Sequence, residues 1–580
     1  MRIDIGIGHL GRIGLLVIAG AAMPALAAAA PADRVVLADN DTVLAAWQQS
    51  AGGGAQPELV KQDDGGTKIE WHGGVTLDRY TDSVSGGTQL TPMRSGSYYK
   101  ADIHSDLRAI SPAGDTAFAQ FSLTSTNDRS VLSSHDSQIN SLVIGRSGQN
   151  YDFRFGDISL DLSRLAGSTG GMRGVQAQRR FGTSTVVSVA DGVLTPSWEE
   201  LDRAVPRTQY LRHAYAMKLE QGIGDATRLF VTHEGYSDDP NTIDSSNALL
   251  TAASASLTTA GFSYQKNGLN MTAEAATSRW QEKGQNAHDS RAYAVDATWS
   301  GQSYGLYGGY HDTGVYYASL PGQAAPGIRE TFVGGNWSAA SWLALNLDLR
   351  RSQNRVANAM ASGSSTLSST RTDTVSAQQS ITFGQRLPGL GLGLRQSVSN
   401  IKNSDGSSSR TAEYGANVSY SGQRWTSGIG YDLNRIDNAL APQSAGRTQT
   451  WTANLGTNLE FGGDASTPPA WTASMNVTGT LQRYKSGLGT RSNGSSYGLQ
   501  MHVQRGQWFV LDANYGEAFV SSPLAGGPTV RTRTYSVSAA HPFGAQNAIR
   551  FYLNNNGTIS GAANQLYSEK QVGAELVYQL

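Results

Sequence analysis

The sequence predicts an all-β protein: a single large antiparallel transmembrane β-barrel of about 26 strands, with 24–28 compatible with the same count. Three observations carry that expectation. From about Lys68 onward, strands of about 10–15 residues alternate apolar and polar side chains, and spanning a tilted bilayer takes only about 9–11. The links between them alternate short and long. No later apolar run approaches the roughly 18 residues that a membrane helix needs.

Taken in order, the chain opens with Arg2 and Arg12, the apolar run 13–22, and the small-x-small site Ala25-Leu26-Ala27. This predicts a cleaved export signal over 1–27. Residues 28–66 read as a periplasmic leader that could occlude part of the lumen. Asp39–Thr42 are placed to cap a short helix through Trp47, and Gly52–Gly54 and Asp63–Gly66 are linker-like. Asp41-Thr42-Val43 is similar to the energy-coupling box of TonB-dependent transporters, although the leader is far too short for their plug domain.

The barrel itself is expected over 67–580. In 471–482 every second residue from Trp471 is apolar or Gly and those between are polar; Trp451, Ala453, Leu455, Leu459 and Phe461, and Leu343, Leu345, Leu347 and Leu349, behave alike. Soluble sandwiches alternate too, but their strands usually run about 5 or 6 residues. Tight links such as Gly182-Thr183, Lys266-Asn267-Gly268 and Leu387-Pro388-Gly389 take every second place. Longer polar stretches, around 192–206, 237–249, 312–327, 352–371, 436–446, 485–495, 520–530 and 556–565, lie between them. Short turns on the periplasmic side and long loops outside are the asymmetry of bacterial barrels, so both ends of the wall should lie in the periplasm. Tyr98, Tyr99, Tyr316, Tyr317, Trp425, Trp508 and Tyr552 are expected at the interfacial girdles.

Closure leaves no free edge, so the first strand, near Ile69–Arg79, should pair with the last. The final residues put Val572, Ala574, Leu576, Tyr578 and Leu580 on one face and Gly573, Glu575 and Gln579 on the other. The spacing of Gln571, Gly573, Leu576, Tyr578 and Leu580 resembles the terminal signal by which outer-membrane barrels of Gram-negative bacteria are recognised. That resemblance implies outer-membrane localisation and the barrel assembly machinery as a partner.

Phe155-Gly156-Asp157 followed by Met172-Arg173-Gly174-Val175 is similar to the early barrel of fimbrial ushers, which export pilus subunits through large barrels. Asp157 and Arg173 are placed to form an ion pair on the lumen wall. No plug insertion is visible in the chain.

Composition narrows the chemistry. Zero Cys among 580 residues excludes disulfides, thiolate catalysis and Cys-ligated metal, and a net charge of −1 leaves no footprint for nucleic acid. No cofactor or metal motif occurs, and no catalytic residue is assigned. Gly494-Ser495-Ser496-Tyr497-Gly498 fits a nucleophile pattern on the wrong element. His135-Asp136-Ser137 and His288-Asp289-Ser290 leave a rim acyl hydrolase as a third function. Arg350, Arg351, Arg355, Arg531 and Arg533 near strand ends could meet lipopolysaccharide phosphates or line the pore. The leading expectation is a conduit for a bulky hydrophilic or amphipathic substrate such as a polysaccharide, lipid or secreted protein, with a plug or periplasmic partner protein. The alternative is a non-transporting receptor, adhesin or scaffold barrel.

Overall fold

The computed structural model describes residues 61–62 and 67–579, apart from 88–92, 133–135, 196, 202–206, 208, 244–250, 321–323, 360–364, 439–444, 464–469, 522–528, 545 and 562–565. The signal, nearly all of the leader, His135 and Leu580 therefore lie outside the described residues. Within them, 26 antiparallel strands close into one barrel, and a further two-residue strand, Lys61–Gln62, folds back on the first.

In chain order the wall begins with β1 Lys68–Gly86, β2 Gly96–Ile110, β3 Thr116–Thr126, β4 Ser137–Gly148, β5 Tyr151–Ile158, β6 Met172–Phe181 and β7 Thr185–Leu194. It continues through β8 Leu211–Ile223, β9 Thr227–Asp239, β10 Ala253–Lys266, β11 Leu269–Glu282, β12 His288–Ser300, β13 Tyr304–Thr313 and β14 Ile328–Ala340. Next come β15 Leu343–Ala359, β16 Ser365–Thr382, β17 Leu390–Asn403, β18 Ser408–Ser421, β19 Trp425–Asn438 and β20 Gly446–Phe461. β21 Trp471–Ser486, β22 Arg491–Arg505, β23 Phe509–Val520, β24 Val530–Pro542, β25 Ala548–Ser560 and β26 Tyr567–Gln579 complete it.

Each strand pairs with its chain neighbours, and β26 closes on β1 from Gly74 opposite Gln579 to Gly86 opposite Tyr567. The seam thus runs further toward the end of β1 than Ile69–Arg79. Pairing every strand twice satisfies the backbone where no water can.

Alternation sorts the side chains. Ile429, Leu481, Phe551, Leu306 and Val333 are more than half exposed on the outer face, as a lipid-facing wall requires. On β26, Val572 and Tyr578 are exposed outward while Glu575 and Val577 are buried inward. Glu575 is not a bystander: its carboxylate lies 2.8 Å from the Arg550 guanidinium inside the seam. Gly573 admits the ring of Tyr552, since a Cβ there would sit 2.5 Å from the phenol.

Three of the girdle tyrosines belong elsewhere. Tyr552 is buried with its hydroxyl donating to Asp78 at 2.7 Å, Tyr98 packs 5.6 Å from the Tyr80 ring, and Tyr317 is buried within the lumen. Each carries a hydroxyl that an inward polar partner can satisfy. Tyr99, Trp425 and Trp508 are exposed at strand ends. Strands also run past the expected loops: β15 and β16 consume most of 352–371, and β21 and β22 leave only a tight turn at 487–490.

Candidate functional site

The lumen is filled along one side. Between β5 and β6 the chain does not turn tightly; residues 159–171 leave the wall as a small hairpin, with Asp161 opposite Ser168 and Ser163 opposite Gly167. Leu160, Leu162, Leu165 and Ala166 are all buried, Ala166 completely. The Thr169 amide donates to the Leu160 carbonyl at 3.1 Å and the Leu160 amide to the Thr169 hydroxyl at 2.7 Å, closing its base.

The wall is cut to receive it. Ala190 on β7, Ala214 and Ala216 on β8, Ala276 on β11, and Ala292 and Ala294 on β12 form one buried cluster with Leu160, Leu162, Leu165 and Met172. Small side chains on the inward face leave depth for the hairpin's leucines. Each buried leucine contributes about 1.5–3 kcal/mol.

Polar groups fix the register of this contact. The carboxylate of Glu274 on β11 accepts the backbone N–H of Arg164 at 3.2 Å and of Leu165 at 3.0 Å, serving both donors at the hairpin tip. The Arg164 side chain reaches Asp296 at 3.2 Å and lies 3.4 Å from His311, whose other ring nitrogen is 2.9 Å from Asp296. His311 also faces Glu330 at 3.4 Å, and Glu330 meets Arg350 at 3.2 Å. A chain of polar contacts therefore runs from the hairpin across β12, β13, β14 and β15.

A second inward segment, described over 314–320 and 324–327, covers the hairpin. The Tyr317 hydroxyl donates to the Leu165 carbonyl at 2.8 Å, and the Leu320 amide donates to the buried carboxylate of Glu234 at 2.8 Å. Thr313 accepts from the Ile328 amide and donates to the Ala325 carbonyl, pinning both ends of the segment together.

The base of the hairpin holds the Asp157 and Arg173 pair, with Arg173 Nε 3.1 Å from Asp157 Oδ1. Asp157 also accepts the Leu142 amide at 2.7 Å and the Trp198 indole N–H at 3.0 Å. Gly156 takes φ +111 there, a conformation that a side chain would strain, and a Cβ would strike the Leu142 carbonyl oxygen. Arg173 is buried beneath the Trp198 ring, 5.4 Å from its centroid, on the short helix Trp198–Leu201. The hairpin between these strands is built into the lumen.

The His288 and Ser290 candidate is not assembled, and His135 lies outside the described residues. His288 is stacked on Tyr316 at 4.1 Å and on Trp280 at 6.0 Å, and no bond joins it to Ser290 among the described residues. Asp136 pairs with Arg129 at 2.7 Å, and Ser495 and Ser496 lie within β22. Among the described residues no group of acidic or His side chains could hold a metal ion. Gln571, Gly573, Leu576 and Tyr578 all lie on β26 at the seam.

Even strand number, full closure and an apolar outer face now stand together. The architecture is that of the large outer-membrane β-barrels. No protein-family model and no curated protein matches the sequence. Among solved structures, the chain is similar to the translocation pore of the P pilus usher PapC, at 9% identity and TM-score 0.41 over 87% of this chain and 99% of that one. It is similar to the copper transporter OprC at 9% identity and TM-score 0.39, covering 88% of this chain and 80% of that one. OccK5 (OpdH) of Pseudomonas aeruginosa matches at 10% identity and TM-score 0.30 over 63% of this chain and 98% of that one. These values describe likeness of shape and carry nothing about cargo.

Proposed function

We propose that the chain is an outer-membrane conduit for a bulky hydrophilic substrate, with the hairpin 159–171 and the Tyr317–Leu320 stretch narrowing one side of its lumen. The observation that carries this reading is the opposite side. On consecutive strands β21–β26, Asn476, Gln500, Asn514, Ser536, Asn554 and Gln571 stand in direct cross-strand register on the inward face. Neighbours in the row are bonded in two places, Asn514 to Ser536 at 3.1 Å and Asn554 to Gln571 at 3.2 Å.

All six are half-buried or exposed, whereas the inward alanines of β8 and β12 are covered. Amides and hydroxyls present donors and acceptors without net charge, and a neutral chain rich in hydroxyls can exchange bonds along them without being held at one point. A polysaccharide fits that chemistry better than a polyanion.

Planar-bilayer conductance tests the reading. The folded chain should give discrete channels that neutral oligosaccharides block from solution, and replacing 160–170 by a short Gly-Ser link should raise the conductance severalfold. No current from either protein would leave a non-transporting scaffold as the better account.

A further inference from the structure

The outer face carries a feature that the conduit does not use. Near the rim that bears the longer connections, Arg435 on β19 stands directly opposite Arg447 on β20, Arg447 opposite Lys485 on β21, and Lys485 opposite Arg491 on β22. Alternation puts all four on the lipid side. Arg447 shares a face with Trp451 and Leu455, Lys485 with Val477 and Leu481, Arg435 with Ile429, and Arg491 with Tyr497 and Leu499, all of them exposed outward.

The levels are ordered as well. Tyr431, Trp451, Leu481 and Ser495 form one row; Leu433, Gln449, Arg483 and Asn493 form the next toward the rim; the four cations form the third. Two residues of strand separate successive rows, about 6.8 Å at the usual rise. The cations therefore stand roughly 13–14 Å along the strand beyond the Trp451 level, where an apolar wall gives way to headgroups.

Like charges in direct register, with Cβ atoms about 4.5–5.5 Å apart, disfavour the pairing that the sheet requires. Some cations on this face have carboxylate partners. Arg351 lies 2.6 Å from Asp373, and Arg531 and Arg533 both flank Glu517. In the four-strand row only Arg435 has one, Asp437 at 2.9 Å; no carboxylate lies within 4 Å of Arg447, Lys485 or Arg491 among the described residues. Arg447 Nε is buried with no hydrogen-bond partner. A row of this kind, in a wall whose neighbours are lipid, wants an external anion with several acceptor oxygens.

We propose that Arg435, Arg447, Lys485 and Arg491 bind the phosphate groups of a phosphorylated glycolipid in the outer leaflet, its acyl chains lying along the Trp451 and Leu481 rows. Guanidinium groups meet phosphate oxygens in pairs, and a lipid presents its phosphate at the depth where this row lies. The site is independent of whether the lumen conducts.

The test uses the full barrel in maltoside detergent micelles, titrated with lipid A bearing both phosphates, with the same lipid stripped of phosphate, and with inorganic phosphate. Bound lipids are counted by native mass spectrometry, and unfolding is followed by heat-modifiable gel mobility. The wild-type chain should retain the phosphorylated lipid at least tenfold over the stripped one. The triple variant Arg447→Gln, Lys485→Gln, Arg491→Gln should lose that preference, while Arg505→Gln, at the opposite end of β22, should keep it.

Stability supplies a sign that an internal structural role would reverse. Without lipid the triple variant should unfold at the same or a higher temperature than wild type, because repulsion is removed. With phosphorylated lipid the order should invert. Equal retention of both lipids by wild type, an undiminished preference in the triple variant, or a lipid-free triple variant that unfolds earlier would overturn the proposal. So would an equal stabilisation by inorganic phosphate, which would assign the row to a free anion.

Discussion

Two sides of one lumen, built on the same alternating strands, have opposite fates. On β7, β8, β11 and β12 a cluster of inward alanines is covered by the hairpin 159–171 and by Tyr317 and Leu320. On β21–β26 one inward row, Asn476 to Gln571, is of amides and hydroxyls in register, and it stays accessible. The outward faces of the two sides do not differ in kind: Val189 and Met217 on one and Val477 and Phe551 on the other are all exposed. Inward side-chain size, with no change of backbone plan, thus decides whether a stretch of barrel wall holds a filling or lines a passage. Small positions invite chain to fold in; long polar ones are satisfied by each other and by water.

The sharpest way to break the contrast is to remove the acceptor that holds the hairpin tip. Glu274→Ala leaves the amides of Arg164 and Leu165 without their partner in a buried place, at about 1–3 kcal/mol for each donor. The chain has no Cys, so a single introduced thiol reports cleanly. Ala166→Cys should resist a water-soluble maleimide in the otherwise wild-type barrel and label at least tenfold faster beside Glu274→Ala. Equal labelling in both would mean that the hairpin is not held by Glu274.

A smaller effect is expected from filling the recess instead of freeing its occupant. Ala292 is fully buried, and Ala292→Leu adds volume against a packed cluster, which typically costs about 1–3 kcal/mol. The heat-modifiable transition should fall by several degrees, with conductance raised if the hairpin is displaced. An unchanged transition would mean that the lumen alanines do not set the depth of the seat.

How much of this was legible beforehand follows from the same contrast. The wall was readable because lipid and water impose a period of two on every spanning strand, as in 471–482, and because β26 carries that period to the end of the chain. The filling was not, because hairpin 159–171 obeys neither period. Its leucines at 160, 162 and 165 resemble a ragged strand, and Gly167 and Gly171, both at positive φ, resemble an ordinary loop. A signal did exist in the alanines: Ala214 with Ala216 and Ala292 with Ala294 occupy positions whose counterparts on β21–β25 are Asn, Gln and Ser. Tyr317, Tyr552 and Tyr98 were misplaced for a related reason, since an aromatic near a strand end suits a girdle and an inward hydrogen bond equally well. The Asp157 and Arg173 positions stood out through their glycine neighbours, yet nothing local announced Trp198, which reaches them from the next loop.

The least disruptive change belongs to the accessible side, where stability and function should separate. Gln500 is exposed on the inward face of β22, between Asn476 and Asn514, and has no hydrogen bond on which the wall depends. Gln500→Leu should shift stability by no more than about 0.5 kcal/mol, as for other exposed positions. The amide row would nonetheless be interrupted at its second position, and a hydroxyl-rich chain would lose its bonds there while water gains nothing in exchange. Block by neutral oligosaccharides should weaken severalfold, with the open-channel current unchanged because the side-chain volumes are similar. A Gln500→Leu barrel that is blocked as strongly as wild type would show the row to be solvated lining only. A change in unfolding as large as that of Ala292→Leu would erase the distinction between the two sides.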